Sequence, residues 1–313
     1  NFKIMIDNPL VSVVVLTYNS SKTVIETLNS IAAQTYRNLE LIVTDDCSKD
    51  NTNKIVREWI NKNETRFWQV KFLTVEKNTG VSANWNRGFD SCNGEYWKGI
   101  AGDDFLEPEC IQRYVNYVNA NPEALTVFSK VKIFGDKNDV KSIADPFLYD
   151  FFSLSIKEQL THLINRSNCI PAPSLFLNLS KIRELGIRAD ERIPMLEDYP
   201  MWINMLSKGI KFHFIDEYLV RYRVGGSSLS TGSNVNLMLD SRRLFELFYL
   251  IPNRFAGRLD ESVYYIFETE QIMIQKVLNT YEYKVGRFIV KPLRKIKNII
   301  INIRYWKGDS AWI

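Results

Sequence analysis

Blocks of hydrophobic residues alternate with polar ones along roughly the first third of the chain. The β-branched run Val11–Leu16 has the pattern of a strand that is buried on both faces of a parallel sheet. Apolar residues then recur at helical spacing in Val24, Leu28 and Ile31. The alternation continues to Pro108, where another helix is predicted to start. Three more strands are predicted at Leu39–Thr44, Val70–Val75 and Glu95–Ile100, and two more helices around Ile55–Trp59 and over Gly80–Cys92.

Strands that alternate with helices predict βαβ units, and therefore an α/β fold with a doubly wound, mostly parallel sheet and helices on both faces. Right-handed crossovers place the carboxyl ends of such strands at one edge, where ligands bind. Four polar clusters directly follow predicted strands, so we expect them to converge at that edge. They are Thr17-Tyr18-Asn19, Asp45-Asp46, Asn78-Thr79-Gly80 and Asp103-Asp104.

The rest of the chain has a more mixed pattern. The predicted elements are one or two strands in Leu125–Phe134, a helix in Met195–Lys208, strands in Phe212–Ile215 and Tyr218–Val224, and a flexible break at Gly225–Ser228. Beyond Asn236 the pattern is helical. We therefore expect an α/β domain over 1–230 and a helical region over 231–313.

Composition narrows the class of protein. The chain has 313 residues, 45% hydrophobic and 24% charged, which is close to a soluble globular average and enough for a sizeable core. No apolar run approaches the roughly 18 residues of a membrane span, and the first residues lack the apolar stretch of a secretory signal. The four cysteines form no Cys-x-x-Cys pair, so reduced thiols and a cytosolic protein are expected. Two isolated histidines exclude a His-rich zinc site.

Positive charge is concentrated at the end of the chain. Eight basic and only two acidic residues follow Tyr281, which suggests a polyanionic partner surface, either a membrane or a nucleic acid. Apolar residues over about 283–307 share one helical stripe that only Pro292 interrupts, as is typical of an interfacial helix. The alternative is a helix that packs on its own domain or on a second subunit.

Three acidic pairs are candidates for chemistry. Asp103-Asp104 has the carboxylates that Mg²⁺ or Mn²⁺ uses when substrate phosphates complete the shell, although two aspartates also cap helices. Asp45-Asp46 can accept a hydrogen bond from a uracil imide or a ribose hydroxyl, or serve a turn. Glu197-Asp198 can supply a general base or lie on a solvated face. Arg223, before a glycine-rich loop, suits closure over a diphosphate, or lies on a solvated edge strand.

The order and spacing of these motifs resembles family 2 glycosyltransferases, which are inverting enzymes with the GT-A fold. The matching segments are Val11–Asn19, Ser30–Tyr36, Leu41–Ser48, Asn78–Ser82, Asn86–Gly88, Gly102–Asp104 and Glu197-Asp198, which together span about 10–225. The chain lacks the P-loop, the dinucleotide-binding and the hydrolase-elbow motifs.

The resemblance implies a role for each cluster. The nucleoside pocket is lined by Thr17, Tyr18 and Asn19, and Asp45 or Asp46 reads the uracil. Asp103 ligates Mn²⁺ or Mg²⁺ with Asp104 in support, and Asp198 is the catalytic base. The remaining assignments are Asn78, Gly80, Asn84, Arg87 and Arg223 to donor binding, and Glu197 and Trp202 to the acceptor side. The chain departs from the family pattern at four places: Ala101 replaces the first Asp of Asp-x-Asp, and Cys47 replaces a usual Gly. Asn84 stands where the family often has Arg, and Gly225-Gly226 stand where it often has a His.

The expected function is transfer of a sugar from a UDP-sugar to a saccharide hydroxyl, on a polyprenyl-diphosphate-linked acceptor of O-antigen or capsule synthesis. The expected partners are the donor, the lipid-linked acceptor and an anionic membrane surface, without nucleic acid and with a possible homodimer. Such an enzyme lies on the cytoplasmic face of the cell membrane. The alternatives are a non-catalytic nucleotide-sugar or glycan-binding protein with the same fold, and a nucleotidyltransferase, whose Gly-rich basic first loop is missing here.

Overall fold

The structure is a computed structural model, and it describes residues 8–135, 148–166, 168–224, 241 and 244–250. The predicted loop at Gly225–Ser228 and the basic helix over about 283–307 lie outside the described residues, as does nearly all of the predicted second domain. In the part of the chain that the structure describes, no helix is long and apolar enough to cross a membrane.

Eight strands form one sheet in the order β3-β2-β1-β4-β7-β6-β8-β5. The strands are β1 (Val11–Thr17), β2 (Leu39–Asp45), β3 (Gln69–Thr74), β4 (Tyr96–Ala101), β5 (Phe105–Leu106), β6 (Thr126–Gly135), β7 (Phe176–Asn178) and β8 (Phe212–Val224). The α-helices are α1 (Val24–Ala32), α2 (Thr52–Asn63), α3 (Val81–Asp90), α4 (Cys110–Ala120), α5 (Ile156–Asn165), α6 (Leu179–Glu184) and α7 (Asp198–Ser207). Short turns add Glu64–Arg66, Tyr149–Ser153, Ala172–Ser174 and the π-helical Glu246–Leu250.

The first four strands form the parallel half of the sheet, as predicted. β1 lies between β2 and β4, and β3 pairs with the outer side of β2. Thr17 is in register with Asp45, and Leu16 with Ala101, so these strands end at one level. Because the strands are parallel and aligned, the polar residues that follow them meet at one edge of the sheet.

The second half of the sheet is mixed. β7 pairs antiparallel with both β4 and β6, and β5 pairs antiparallel with β8. β8 is one strand where two were predicted, because Asp216 and Glu217 are accommodated by a register shift opposite Lys130. The predicted α/β fold with helices on both faces is therefore confirmed, with a sheet that is more mixed than the strand pattern predicted.

Two hydrophobic cores lie on opposite faces of the sheet. Val13 and Val15 point into one core and Val14 into the other, as the alternation of side chains along a strand requires. Helices α1, α2 and α4 cover the first face, and α3, α5, α6 and α7 cover the second. All four cysteines are buried and free.

Candidate active site

The loop after β1 is tied to the loop after β2 through Asp45. The Thr17 hydroxyl donates to its Oδ2 at 2.9 Å, and the Ser48 N–H donates to its Oδ1 at 2.8 Å. Asp45 is fully buried, so its carboxylate holds the two loops together. Tyr18 is half-buried beside this link, while Asn19 is exposed and accepts from the Lys49 N–H at 2.8 Å.

Cys47 adopts a left-handed backbone conformation, with φ of 68°. That region favours glycine, which is the residue that the family resemblance leads us to expect at this position. The Cys47 thiol donates to the Glu76 carbonyl oxygen at 3.1 Å, and the Lys49 ammonium lies 3.0 Å from its sulfur. The turn is therefore held in a strained conformation by contacts of its own side chain.

Asp46 holds the loop that leads into α3. Its carboxylate accepts from the N–H and the hydroxyl of Thr79, the latter at 2.6 Å, and from the Gly80 N–H at 2.8 Å. Arg87 forms an ion pair with it at 3.3 Å and donates to Asn84 at 2.7 Å. Three predicted donor-binding residues, Gly80, Asn84 and Arg87, are thus brought together with Asp46.

Most of the polar side chains around Asp45 and Asp46 already form hydrogen bonds with other protein groups. Asn84 is buried and exchanges hydrogen bonds with Thr44, while Asn78 is exposed and accepts from the Gly80 N–H at 3.1 Å. Like Asp45, Asp46 is almost fully buried. In this structure both carboxylates therefore hold loops in place, and uracil recognition by either of them stays a prediction.

The segment from Ala189 to Asp198 packs against α3 through hydrogen bonds and a close backbone contact. The sequence pattern did not predict this contact. The Ser82 hydroxyl donates to the Ile193 carbonyl at 2.6 Å, and the Asn86 amide donates to the Ala189 carbonyl at 3.0 Å. A Cβ on Gly80 would lie 2.7 Å from the Pro194 oxygen, so only glycine allows this close approach. The nucleotide-side loops and the segment that carries Glu197-Asp198 are therefore one packed unit.

Two acidic residues follow β4. Asp104 is buried and accepts from the backbone N–H of Arg223 at 2.7 Å. Burial raises the pKa of Asp103, and burial together with the charge of Asp103 holds the pKa of Asp104 well above its usual range. A cation bound between two such carboxylates would stabilise their charged forms.

The Arg223 side chain is already engaged by the protein. Its guanidinium forms an ion pair with Glu26, donates to the Asp103 carbonyl oxygen at 2.9 Å, and stacks over the Phe134 ring at 4.5 Å. The structure thus places Arg223 beside the acidic pair, while its predicted contact with a diphosphate stays a prediction.

Glu197 and Asp198 form a second half-buried acidic pair where α7 begins. The two Asp198 oxygens accept from the Tyr199 N–H at 2.6 Å and from the Asn168 side-chain amide at 2.9 Å. Burial and the charge of Asp198 raise the pKa of Glu197 to about 8. Burial also raises the pKa of Asp198, while the hydrogen bonds from Tyr199 and Asn168 oppose that shift.

Tyr222 on β8 connects the two acidic pairs. It precedes Arg223, and its phenol pKa is raised to about 12 by burial and then by the charges of the four carboxylates. These are Asp104, Asp103, Asp198 and Glu197, in order of decreasing effect. Both acidic pairs therefore act electrostatically on the Tyr222 side chain.

The prediction that Trp202 lies on the acceptor side is not supported by its position. Its ring is only 1% exposed and packs in the core, 5.3 Å from Phe128 and 6.0 Å from Phe212. An aromatic residue at helical spacing in α7 faces the core because that face of the helix is covered by the sheet. Trp202 is therefore a core residue and does not line the candidate site.

The sequence profile of one protein family, described as Glycosyl transferase family 2, matches residues 12–184, which is more than half of the chain. The chain belongs to this family. The matched region contains every element that carries the nucleotide-side loops and the first acidic pair, and Glu197-Asp198 follow shortly after it.

Relatives and solved structures agree with the family assignment. An uncharacterized glycosyltransferase of Methanocaldococcus jannaschii is 27% identical over 70% of this chain and 72% of its own length. The putative teichuronic acid biosynthesis glycosyltransferase TuaG of Bacillus subtilis is 23% identical over 71% of this chain and 82% of its own. TarS of S. aureus in complex with UDP-GlcNAc is 18% identical with a TM-score of 0.61, covering 90% of this chain and 77% of that one. The last likeness confirms the GT-A fold.

Proposed function

We propose that this glycosyltransferase is an inverting, metal-dependent hexosyltransferase that moves a sugar from a UDP-sugar to a saccharide hydroxyl. The observation that carries the proposal is that two buried or half-buried acidic pairs, Asp103-Asp104 and Glu197-Asp198, both raise the pKa of the Tyr222 phenol through their charges. One pair suits a metal-bound diphosphate and the other suits proton removal. An inverting transfer needs both functions on opposite sides of the reacting carbon.

A UDP-sugar is the proposed donor. Structures of TarS with UDP and with UDP-GlcNAc share the fold of this chain, which supports a donor of the same class. Thr17, Tyr18 and Asn19 are proposed to line the nucleoside pocket, because they follow β1 at the edge where ligands bind in such sheets. Asp45 and Asp46 are proposed to shape that pocket, with one of them reading the uracil.

The acidic pair after β4 fits a divalent metal ion. Both carboxylates have raised pKa values because they are buried and close to each other, and a cation removes that penalty. Within the described ranges no group of three or more His, Cys, Asp or Glu residues is arranged to hold a metal. Two protein ligands suit Mg²⁺ or Mn²⁺ sites that substrate phosphates complete. Asp103 would hold the ion, Asp104 would support it, and the ion would neutralise charge on the departing UDP.

Asp198 is the proposed general base. Its carboxylate takes the proton of an acceptor hydroxyl, and the resulting oxygen bonds to the anomeric carbon from the face opposite the diphosphate. The bond from that carbon to the diphosphate oxygen breaks, and UDP leaves with the electron pair, so the configuration inverts. Glu197 is proposed to lie on the acceptor side. A positioned base of this kind contributes about 10²–10⁴-fold to the rate.

The acceptor is proposed to be a polyprenyl-diphosphate-linked saccharide of a bacterial surface polysaccharide, such as O-antigen or capsule. The name of TuaG links one relative to teichuronic acid biosynthesis. The basic, apolar-striped tail beyond Tyr281 would hold the enzyme on the anionic cytoplasmic face of the membrane, near such a substrate. In this proposal residues 1–230 are catalytic and 231–313 bring the enzyme to its acceptor.

The test is a screen of UDP-sugars with the full chain, Mn²⁺ and a short diphosphate-lipid acceptor analogue, with released UDP as the readout. Release that depends on metal and acceptor for one UDP-sugar is expected. Asp198→Asn should lower kcat by about 10²-fold or more while UDP still binds. Binding of a UDP-sugar without release under any condition would instead identify a non-catalytic binding protein, which the Ala101 replacement favours.

A further inference from the structure

The two members of the acidic pair at α7 have unequal surroundings. Asp198 accepts one hydrogen bond on each carboxylate oxygen, from the Tyr199 N–H and from the Asn168 amide. Among the described residues, the backbone N–H of Glu197 is the one donor that stabilises its charged form, and burial and the charge of Asp198 raise its pKa to about 8. When two close carboxylates share a site, the one with more donors keeps the negative charge.

Asn168 is itself held in a fixed orientation. Its side-chain oxygen accepts from the Ile170 N–H at 3.1 Å, which leaves its NH₂ group directed at Asp198. The opposite assignment of oxygen and nitrogen would face two acceptors against each other. The residues that follow are anchored in the core, because Cys169 and Ile170 are buried and the Lys98 ammonium donates to the Pro173 carbonyl.

We infer that Asn168 is a positioning residue, which selects Asp198 as the ionised member of the pair and orients its carboxylate toward the acceptor hydroxyl. This inference rests on the proposed function, in which Asp198 is the base. Tyr199 alone cannot make the selection, because its N–H is part of the same helix end and reaches only one of the two oxygens. Asn168 comes from a separate segment, so its donor fixes the second oxygen independently.

The inference predicts a change in the pH dependence of the reaction. The base must be deprotonated, so activity falls as the pH drops through the pKa of Asp198. Asn168 donates to the charged carboxylate and lowers that pKa, so removing the donor moves the acidic limb of the rate profile to higher pH. The other titratable groups on the surrounding elements are Glu197, Tyr222, Asp103 and Asp104. The Tyr199 hydroxyl donates to the Leu163 carbonyl, and the Tyr249 hydroxyl donates to Asp190. The His162 ring packs against Phe151.

The experiment measures kcat and kcat/KM against pH for the full chain and four variants. Asn168→Ser keeps an acceptor for the Ile170 N–H, but its side chain is too short to reach Asp198. The acidic limb of its rate profile should therefore move to higher pH by about one unit. Asn168→Asp adds a third carboxylate, so its activity at neutral pH should fall at least about 10-fold and recover at high pH. Asn165→Ala, which removes an exposed amide on neighbouring α5, should keep the original profile.

The fourth variant, Asp198→Asn, separates the two proposals. If it turns over normally, the base assignment is wrong and the proposed function fails with it. If it is inactive but Asn168→Ser and Asn168→Asp keep the wild-type acidic limb, the base stands and the inference about Asn168 is overturned. A lower kcat in the Asn168 variants with an unmoved limb has the same meaning, because it reports a structural role alone.

Discussion

The side chain of Asn86 and the backbone of Ala189 form two reciprocal hydrogen bonds, each 3.0 Å long, much as two strands of a sheet do. Asn86 is 1% exposed and lies on α3, while Ala189 opens the segment that leads to Glu197-Asp198. One side-chain amide therefore pairs with both backbone polar groups of Ala189. It links the segment that carries the candidate base to the nucleotide-side loops.

Asn86→Ala should destabilise the protein by about 2 kcal/mol, because a buried N–H and a buried carbonyl lose their partners. The variant should also lose acceptor-dependent activity more than UDP binding, since the displaced segment carries Asp198. Thermal unfolding and UDP titration measure the two effects. Asn63→Ala, which removes a peripheral amide on α2, is the control and should change neither. Equal losses in binding and transfer would contradict the clamp described here.

Asp103→Asn should abolish the part of UDP binding that depends on Mn²⁺, because the diphosphate alone does not hold the ion in place. Asp104→Asn should do less damage to metal binding. Calorimetric titration of UDP with and without Mn²⁺ measures this, with the exposed Asp90→Asn as control. Unchanged metal dependence in Asp103→Asn would rule out Asp103 as the ligand.

Glu40 should make the stability of the protein depend on pH. Its buried carboxylate accepts from Ser12 and Asn93 and pairs with Lys71 at 3.1 Å. Burial raises its pKa, but these hydrogen bonds outweigh burial and lower the pKa below its ordinary value of 4.5. Such a group stabilises the fold above its unfolded pKa, and the contribution is lost as pH falls through the folded value.

Glu40→Gln should therefore cost about 1–3 kcal/mol at pH 7, and the difference from wild type should shrink below about pH 4. Denaturant unfolding across pH measures it. The exposed Glu58→Gln is the matched control and should cost almost nothing at any pH. A difference that does not vary with pH would show that Glu40 acts through packing alone.

Because Cys47 has a left-handed backbone, the stability cost of a substitution there should depend on the shape of the new side chain. Cys47→Gly relieves strain and loses two sulfur contacts, so it should change stability by less than about 1 kcal/mol. Cys47→Val places a β-branched side chain in a disfavoured region and should cost more than about 2 kcal/mol. Cys110→Val, at the first residue of α4 where the backbone is helical, should cost little. Thermal melts rank the three, and an equal cost for valine at both positions would contradict the strain.

Removal of residues 284–313 should release the protein from anionic membranes. Each basic residue near such a surface contributes about 1 kcal/mol before screening, and the apolar stripe adds burial. Co-sedimentation with anionic vesicles in low and high salt compares the full and shortened chains. Transfer to a long-chain lipid acceptor should fall far more than transfer to a short analogue. If the full chain ignores these vesicles at low salt, the tail serves packing or dimerisation instead.

Local patterns were enough to predict the parallel half of the sheet, because β-branched runs such as Val11–Leu16 report burial on both faces. They missed β5, which has two residues and depends on an antiparallel partner far away in the chain. They also missed the contacts of Asn86 and Ser82 with a segment more than 100 residues distant. Trp202 was misplaced because an apolar residue beside an acidic pair has the same sequence pattern whether it faces a cleft or the core.

The link between Asp104 and Arg223 has a consequence for how this family member can change. The donor is the main-chain N–H of residue 223, which every amino acid except proline provides. A substitution at position 223 that keeps this N–H therefore removes the guanidinium contacts with the Asp103 carbonyl oxygen and with Glu26, but leaves the hydrogen bond to Asp104 in place. The Asp104 link depends on the backbone path of β8, whereas the Asp103 link depends on the arginine side chain, so the two links can change independently during evolution.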